Sequence, residues 1–181
     1  MIEQVIKEIW SFNEHHSHHL MEAAELIKNA ETVYCVGNGG SSSLMSHLTS
    51  DLQNLGIEAV CLTDNTARLT ALTNDEGWNH VYRHMIKNRV KPSDLLIVAS
   101  VHGSAGLSWA GQGWSANLYD LVQLFRDRNA KVLSFVGNNG GMIKPLSTLC
   151  LAIKSPDPYI VEGIHSVLAH AVCKELRETM K

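Results

Sequence analysis

Two side chains suited to acid–base or metal chemistry, His47 and Asp51, lie four residues apart in a segment with a helical pattern. Residues at this spacing share one face of a helix, so an imidazole and a carboxylate would project together. Such a pair can transfer protons or bind a metal ion. The helix would begin directly after the sequence Gly-Asn-Gly-Gly-Ser at residues 37–41.

The segment that positions this pair is a short apolar run, residues 32–36, which leads into the glycine-rich turn. A strand that passes through glycines into a helix is typical of an anion site. Glycines let backbone N–H groups approach the ligand, and the helix N-terminus adds partial positive charge. The pattern therefore predicts a phosphorylated ligand bound by the turn. Its candidate contacts are Asn38, Gly39, Gly40 and Ser41.

The whole chain continues this alternation of strand and helix. Apolar runs predict five strands, at 32–36, 58–62, 94–99, 131–136 and 149–153. Helical patterns follow at 42–55, 65–73, 77–90, 116–129 and 159–179. Continuous apolar runs suit strands buried on both faces, as in a parallel sheet with helices on each side. We therefore expect a doubly wound α/β fold with a five-stranded parallel sheet, in which ligands bind beyond the carboxyl ends of the strands.

Length and composition narrow the function classes. The 181 residues suit one domain over 1–181, with a helical segment at 1–30 ahead of the first strand. The formal net charge of −3 offers no basic excess, so electrostatic binding of nucleic acid is disfavoured. No secretion signal and no apolar run of membrane-spanning length are evident. Four separated cysteines without a Cys-x-x-Cys pair fit free thiols in a reducing compartment. We expect a cytoplasmic protein that binds neither nucleic acid nor membrane.

The third predicted strand also ends in a small polar turn, which contains Ser100, His102 and Ser104. The carboxyl ends of parallel strands meet at one edge of the sheet, so this turn would lie beside the glycine-rich one. Hydroxyls and backbone amides from two such turns can bind a phosphate without arginine. This suits the modest charge of the chain.

Several other polar segments admit two interpretations. Residues 140–141 fit turn geometry better than a ligand contact, and residues 63–66 fit a helix N-cap. The segment 104–114 is either a loop over the ligand or a subunit contact. The four histidines within 15–19 fit a polar helix face or a subunit contact better than a metal site, because only one carboxylate lies nearby. Asp75 can face the ligand edge or cap a helix.

The last predicted helix carries Glu162, His165 and His170. On one unbroken helix, Glu162 and His170 stand about 12 Å apart along the axis, which is too far for both to bind one ion. Either one residue precedes the helix proper or the two serve different subunits. A single histidine on a helix is more often structural.

Taken together, these motifs resemble the sugar isomerase (SIS) domain of the phosphoheptose isomerase type, over nearly the whole chain. The matching segments are 37–41 with His47, 62–65 with 69–71 and 74–75, and 162–165 with His170. The resemblance implies the SIS fold and an aldose–ketose isomerase. Its substrate would be sedoheptulose 7-phosphate or a similar sugar phosphate, converted through an enediol to the heptose 7-phosphate.

The resemblance also implies roles for individual residues. Zinc, one ion per active site, would be bound by His47, Asp51, Glu162 and His170. The acid–base pair falls on Asp51 and His170, with Glu162 as an alternative base. The phosphate or sugar would contact Asn38, Ser41, Ser100, Ser104 and Ser115, with His102 and Asp75 as further contacts. Members of the family form homotetramers whose active sites are shared between subunits.

The chain departs from the family at three places. Asp51 stands where glutamate is usual, and Glu162 stands where glutamine is usual. The phosphate turn at 100–104 has an unusual sequence, and extra residues separate it from Ser115. These differences are typical of a divergent branch with a longer loop.

Two other function classes are alternatives to the isomerase. A non-catalytic SIS protein that serves as an assembly or regulatory factor would have no need for His47, Asp51 and His170. A nucleotide-binding dehydrogenase is disfavoured, because the turn at 37–42 lacks the third glycine of the dinucleotide fingerprint.

Overall fold

The computed structural model describes residues 2–106 and 114–180, except the side chains of residues 13–16. The N-terminal segment forms two helices, α1 (Ile2–His16) and α2 (His18–Lys28), which part at Ser17. This agrees with the helical segment expected before the first strand. Within the described residues, no helix combines the length and apolarity needed to cross a membrane.

The centre of the fold is a sheet of five parallel strands, as the sequence predicts. The strands are β1 (Val33–Gly37), β2 (Ala59–Cys61), β3 (Leu95–Ser100), β4 (Lys131–Gly137) and β5 (Leu149–Ile153). Their order in the sheet is β2-β1-β3-β4-β5. The expected α/β architecture is therefore confirmed.

Five further helices connect or follow the strands. They are α3 (Gly40–Asn54), α4 (Thr66–Glu76), α5 (Val81–Ile86), α6 (Ala116–Asp127) and α7 (Pro158–Thr179). The side chain of Asn65 accepts a hydrogen bond from Arg68 N at 3.0 Å, which bears out the N-cap interpretation of this segment. The predicted helix 77–90 is wrong in extent, because residues 78–80 form a separate 3₁₀ turn and α5 ends at Ile86.

The sheet divides the core into two apolar layers. Along β1, Val33 and Cys35 face one layer, whereas Tyr34 and Val36 face the other. Burial on both faces explains why the strand is a continuous apolar run. Helices α1, α2, α3 and α7 cover the first layer, and α5 and α6 cover the second. Because α3 and α7 share one side of the sheet, side chains from both can meet at its edge.

Candidate active site

The strand order creates a crevice between β1 and β3. The connection after β1 leads to α3 on one face of the sheet, and the connection after β3 leads towards α6 on the other. In this topology, ligands bind at the point where the chain direction switches. A cavity of about 240 Å³ lies there, and we call it the switch-point cavity. It is lined by Asn38, Ser41, Ala99, Ser100, Val101, His102, Ser115, Leu118, Pro158 and Glu162.

Most of the predicted phosphate contacts line this cavity, but Ser104 does not. Ser104 is fully buried, and its hydroxyl donates to the carbonyl of Ser115 at 2.8 Å. This hydrogen bond ties together the two ends of the loop whose residues 107–113 lie outside the described residues. Ser104 and Ser115 have φ values of +62° and +60°, which non-glycine residues adopt only where the surroundings determine them. Ser104 therefore joins the turn after β3 to the start of α6 without lining the cavity itself.

The glycines of the first turn have separate tasks. Gly39 precedes α3 with φ +57° and ψ −129°, a conformation open mainly to glycine, and this lets α3 begin at Gly40, earlier than predicted. A Cβ at Gly37 would come within 2.6 Å of the Ser41 backbone. The turn is therefore too tight for a larger residue at position 37.

A second opening, of about 460 Å³, lies between α3 and α7, and we call it the α3–α7 cleft. It is lined by Gly40, Ser41, Ser43, Leu44, His47, Tyr159, Glu162, Gly163, Ser166 and His170. Ser41 and Glu162 belong to both linings. The two openings therefore adjoin each other at these two residues.

Two residues of the cleft lining, His47 and His170, lie close to Asp51, and the candidate ligand atoms of all three are within 4.8 Å of one another. Asp51 Oδ2 is 3.5 Å from His47 Nε2 and 3.9 Å from His170 Nε2. The two imidazole rings are 5.2 Å apart and nearly perpendicular. Two imidazoles and one carboxylate form a donor set that can hold a metal ion and leave a further position open. Spacing on α3 places the first pair, and the packing of α7 against α3 adds His170.

Glu162 lies outside this group of three. Helix α7 is unbroken from Pro158 to Thr179, so Glu162 does not precede the helix, and eight residues separate it from His170. Its carboxylate lies against Gly40, where an added Cβ would collide with Glu162 Oε2. The positive end of α3 favours a negative charge at this place. Glu162 is thus positioned at the junction of the cavity and the cleft.

Three other segments that the sequence analysis discussed do not contribute described side chains to either opening. Asp75 is exposed on α4, accepts a hydrogen bond from its neighbour Asn74, and lines neither opening. Residues 140–141 pack against the turn after β3, where an added Cβ at Gly141 would come within 2.5 Å of the His102 carbonyl. This agrees with their interpretation as a turn. The side chains of His15 and His16 lie outside the described residues.

His165 is completely buried on the inner face of α7. Its ring contacts that of Phe135 edge-on at 5.9 Å, and neither ring nitrogen makes a hydrogen bond within the described residues. Burial lowers the pKa of His165 to about 4, against a smaller opposing effect of the Val136 backbone. At neutral pH this imidazole is uncharged, which supports its interpretation as a structural residue.

Two buried polar residues near the site, Asn117 and Tyr82, were missed by sequence reasoning. Asn117 exchanges hydrogen bonds with Asn38, and the Tyr82 hydroxyl donates to Asn38 Oδ1 at 3.0 Å. The position of Asn117, two residues after Ser115 at a helix start, was an available signal. Tyr82 gave none, because a tyrosine within an apolar helical pattern is ordinary core.

Comparisons with known proteins show which proteins this chain resembles. No family model matches the chain. The chain is 34% identical over 153 residues to the lincomycin biosynthesis protein LmbN of Streptomyces lincolnensis, a match that covers 78% of the chain and about half (54%) of that protein's length. It is 30% identical over 155 residues to the phosphoheptose isomerase of Helicobacter pylori strain P12, covering 82% of the chain and 76% of the relative.

A solved structure gives the same result for the fold. The phosphoheptose isomerase of Neisseria gonorrhoeae superposes with a TM-score of 0.86 at 25% identity, over 97% of this chain and 94% of that one. The similarity to these two phosphoheptose isomerases thus extends over most of this chain and most of each of them. With its SIS fold confirmed, the chain belongs to the phosphoheptose isomerase family.

Proposed function

We propose that this protein is an aldose–ketose isomerase that converts sedoheptulose 7-phosphate, or a similar ketose phosphate, to the corresponding aldose phosphate. Family membership supports a sugar-phosphate isomerase. The observation that carries the proposal is the group His47, Asp51 and His170 beside a hydroxyl-lined cavity. The same group speaks against a non-catalytic assembly or regulatory factor.

In this proposal, the phosphate occupies the end of the switch-point cavity furthest from Glu162. Ser100 and Ser115 line that cavity together with His102, and no arginine or lysine is among its described lining residues. The Glu162 carboxylate would repel a phosphate placed beside it. The substrate would therefore extend from the phosphate towards Glu162 and the α3–α7 cleft, with C1 and C2 at the junction.

The proton transfers follow from this placement. A carboxylate, Glu162 or Asp51, removes a proton from C1 of the ketose while an acid protonates the oxygen on C2, which gives the enediol. Loss of the proton from the oxygen on C1 and delivery of a proton to C2 then give the aldose. His170 lies 3.9 Å from Asp51, and a ring nitrogen of His170 that is not bound to a metal ion suits the role of acid and base at the oxygens. Binding energy from the phosphate would hold C1 and C2 in place.

Zinc is the metal ion that the proposal assigns to the cleft, one per active site. His47, Asp51 and His170 would hold it, and the mixed imidazole and carboxylate donors suit zinc. A bound zinc ion would polarise the substrate carbonyl and stabilise developing negative charge. The further assignment of Glu162 as a ligand stays a prediction inherited from the resemblance, since Glu162 lies apart from the other three.

The proposal includes a cytoplasmic homotetramer built from single SIS domains. Large apolar side chains are exposed on α1 and α7, namely Ile2, Ile6, Trp10, Tyr159 and Val167. A second subunit on these surfaces would bury them and could supply residues to the open cleft. Four free cysteines suit a reducing compartment. Light scattering coupled to size-exclusion chromatography tests the assembly, and a stable monomer would contradict it.

The activity is tested by incubating the protein with sedoheptulose 7-phosphate in deuterated water and analysing the product. We expect the aldose phosphate with solvent deuterium at C2, since the enediol route delivers a proton from the base. Ketose phosphates of other chain lengths should be tested in parallel, because one relative is named for lincomycin biosynthesis and another as a phosphoheptose isomerase. Absence of aldose product from every ketose phosphate would contradict the proposal.

A further inference from the structure

We infer that Asn117 and Tyr82 are positioning residues that hold the phosphate-binding turns of the switch-point cavity in place through Asn38. This inference rests on the proposed function and deepens it. Asn38 Nδ2 donates to Asn117 Oδ1 at 3.0 Å, and Asn117 Nδ2 donates back to Asn38 Oδ1 at 3.2 Å. The Tyr82 hydroxyl donates to Asn38 Oδ1 at 3.0 Å and lies 3.3 Å from the Gly37 carbonyl.

These contacts use the full hydrogen-bonding capacity of the Asn38 side chain. A carboxamide offers two N–H donors and an oxygen with two acceptor sites. The Asn38 oxygen accepts from Asn117 and from Tyr82, while its nitrogen donates to Asn117 and to Ser115 Oγ at 3.5 Å. Asn38 is a predicted substrate contact and lines the cavity, and its side chain also forms this cross-link.

The cross-link spans the crevice at the switch point. Asn38 follows β1, whereas Asn117 lies in the first turn of α6, which follows the long loop after β3. The pair therefore sets the distance between the wall that carries Ser41 and the wall that carries Ser115. Hydroxyls and amides bind a phosphate well only when they converge on one point, so this distance decides phosphate affinity.

Burial makes the cross-link rigid. Asn117 is fully buried and Tyr82 is 1% exposed, so water has access to these hydrogen bonds only from the side of Asn38, which is partly buried. Burial also raises the pKa of Tyr82, which keeps its hydroxyl protonated as a donor. Asn117 Oδ1 additionally accepts from Leu118 N at 2.9 Å, which fixes the start of α6. The left-handed backbone of Ser115, two residues earlier, is thus anchored on its helical side.

The test compares Asn117→Ala and Tyr82→Phe with a matched control, Tyr34→Phe. Tyr34 is a buried tyrosine in the same core layer as Tyr82, but it lies near the amino end of β1. Calorimetry with inorganic phosphate as the probe gives affinity, and isomerase assays give kcat and KM separately. We expect phosphate Kd and substrate KM to rise together, about tenfold for Asn117→Ala and about threefold for Tyr82→Phe, with a smaller change in kcat. The control should match the wild type.

The double variant shows whether both residues act through Asn38. If they do, its effect on phosphate Kd is smaller than the product of the single effects. Phosphate affinities of Tyr82→Phe and Asn117→Ala equal to that of Tyr34→Phe would overturn the inference. Should Asn117→Ala fail to fold, Tyr82→Phe, which removes one oxygen atom, still decides the matter.

The proposed function and this inference fail in different ways. A wild-type protein that binds inorganic phosphate without isomerising any sugar phosphate contradicts the proposed function, while the variants still test the network through phosphate affinity. A wild-type protein that isomerises its substrate but does not bind inorganic phosphate overturns the inference.

Discussion

The switch-point cavity and the α3–α7 cleft adjoin each other, yet their side chains are held in different ways. In the cavity, the turns are fixed by hydrogen bonds of Asn38 to the buried residues Asn117 and Tyr82, at 3.0 to 3.2 Å. In the cleft, the imidazoles of His47 and His170 are 60% and 57% exposed. Their distances to Asp51, 3.5 and 3.9 Å, are longer than good hydrogen bonds.

This difference suits phosphate binding in the cavity and metal binding in the cleft. A phosphate site needs donors that already converge, because reorganising turns would consume binding energy. Metal ligands can instead be drawn together by the ion itself, since metal binding and local ordering are coupled. Under the proposed function, the cavity would be a preformed binding site, and an ion and a neighbouring subunit would complete the cleft.

The largest expected effect comes from removing cleft residues. Asp51→Ala and His170→Ala should each lower kcat by about a thousandfold or more, since each removes a proton-transfer group and a metal ligand. The His170 side chain is exposed and that of Asp51 is partly exposed, so the thermal midpoint without added metal should stay close to that of the wild type. Phosphate affinity should also be retained, because the cavity is held independently.

Lys174→Ala is the control for this experiment. Lys174 is exposed on α7 one turn beyond His170, so this variant disturbs the same helix without touching the cleft. Near-wild-type turnover in both Asp51→Ala and His170→Ala would contradict the assignment of chemistry to the cleft. A loss of phosphate affinity in these two variants would show that the cavity is not held independently of the cleft.

A second prediction concerns the two faces of α7, which carries exposed His170 and buried His165. The pKa of His165 is about 4 in the folded protein, below the 6.5 of an unfolded chain. The unfolded state therefore binds more protons between these values. Protonation of His165 in the unfolded state therefore lowers the free energy of unfolding. This loss is absent above pH 6.5, grows as the pH decreases towards 4, and reaches at most about 3 kcal/mol.

Denaturant unfolding between pH 7 and pH 4 measures this loss. His165→Leu should show a shallower acid dependence, because the imidazole that must stay uncharged is gone. His170→Ala, which removes an exposed imidazole, should follow the wild type. An equal acid dependence in His165→Leu and wild type would show that other groups govern acid stability.

The sequence was informative wherever local spacing decides the outcome. The strands could be recognised because burial on both faces requires apolar residues at every position. The proximity of His47 and Asp51 could be predicted because residues four apart share one face of a helix. The distance between Glu162 and His170 followed from the rise of an unbroken helix, and α7 is unbroken. His170 joined the pair only through the packing of α7 on α3, which the family resemblance had implied.

Other features depend on contacts between distant segments. Tyr82 lies 44 residues from Asn38 in the chain, so nothing local marks their hydrogen bond. The helix predicted at 77–90 starts late because Gly77, with φ +81° and ψ 154°, interrupts the backbone before a 3₁₀ turn. Long-range packing and unusual backbone angles could not be predicted from the periodicity of apolar residues.

A third prediction addresses which carboxylate removes the proton from C1. Glu162 lies at the junction of the two openings, so Glu162→Gln should lower kcat about a hundredfold with little change in KM if it is the base. Phosphate affinity should rise slightly, because a negative charge beside the cavity is lost. The control is Ser166→Ala on the next turn of α7. Undiminished turnover in Glu162→Gln would assign the base to Asp51 and move the chemistry fully into the cleft.

The smallest expected effect tests how accurately Glu162 must be placed. No left-handed backbone angle occurs at Gly40, so alanine fits the backbone, but its Cβ collides with Glu162 Oε2. Gly40→Ala should lower kcat about tenfold by displacing the carboxylate, with the thermal midpoint nearly unchanged. Gly163→Ala, on the facing helix, adds the same methyl group where no atom lies within 4 Å. If Gly40 acts through Glu162, Gly40→Ala should have a smaller effect in a Glu162→Gln background, and equal effects in both backgrounds would mean that α3 itself has moved.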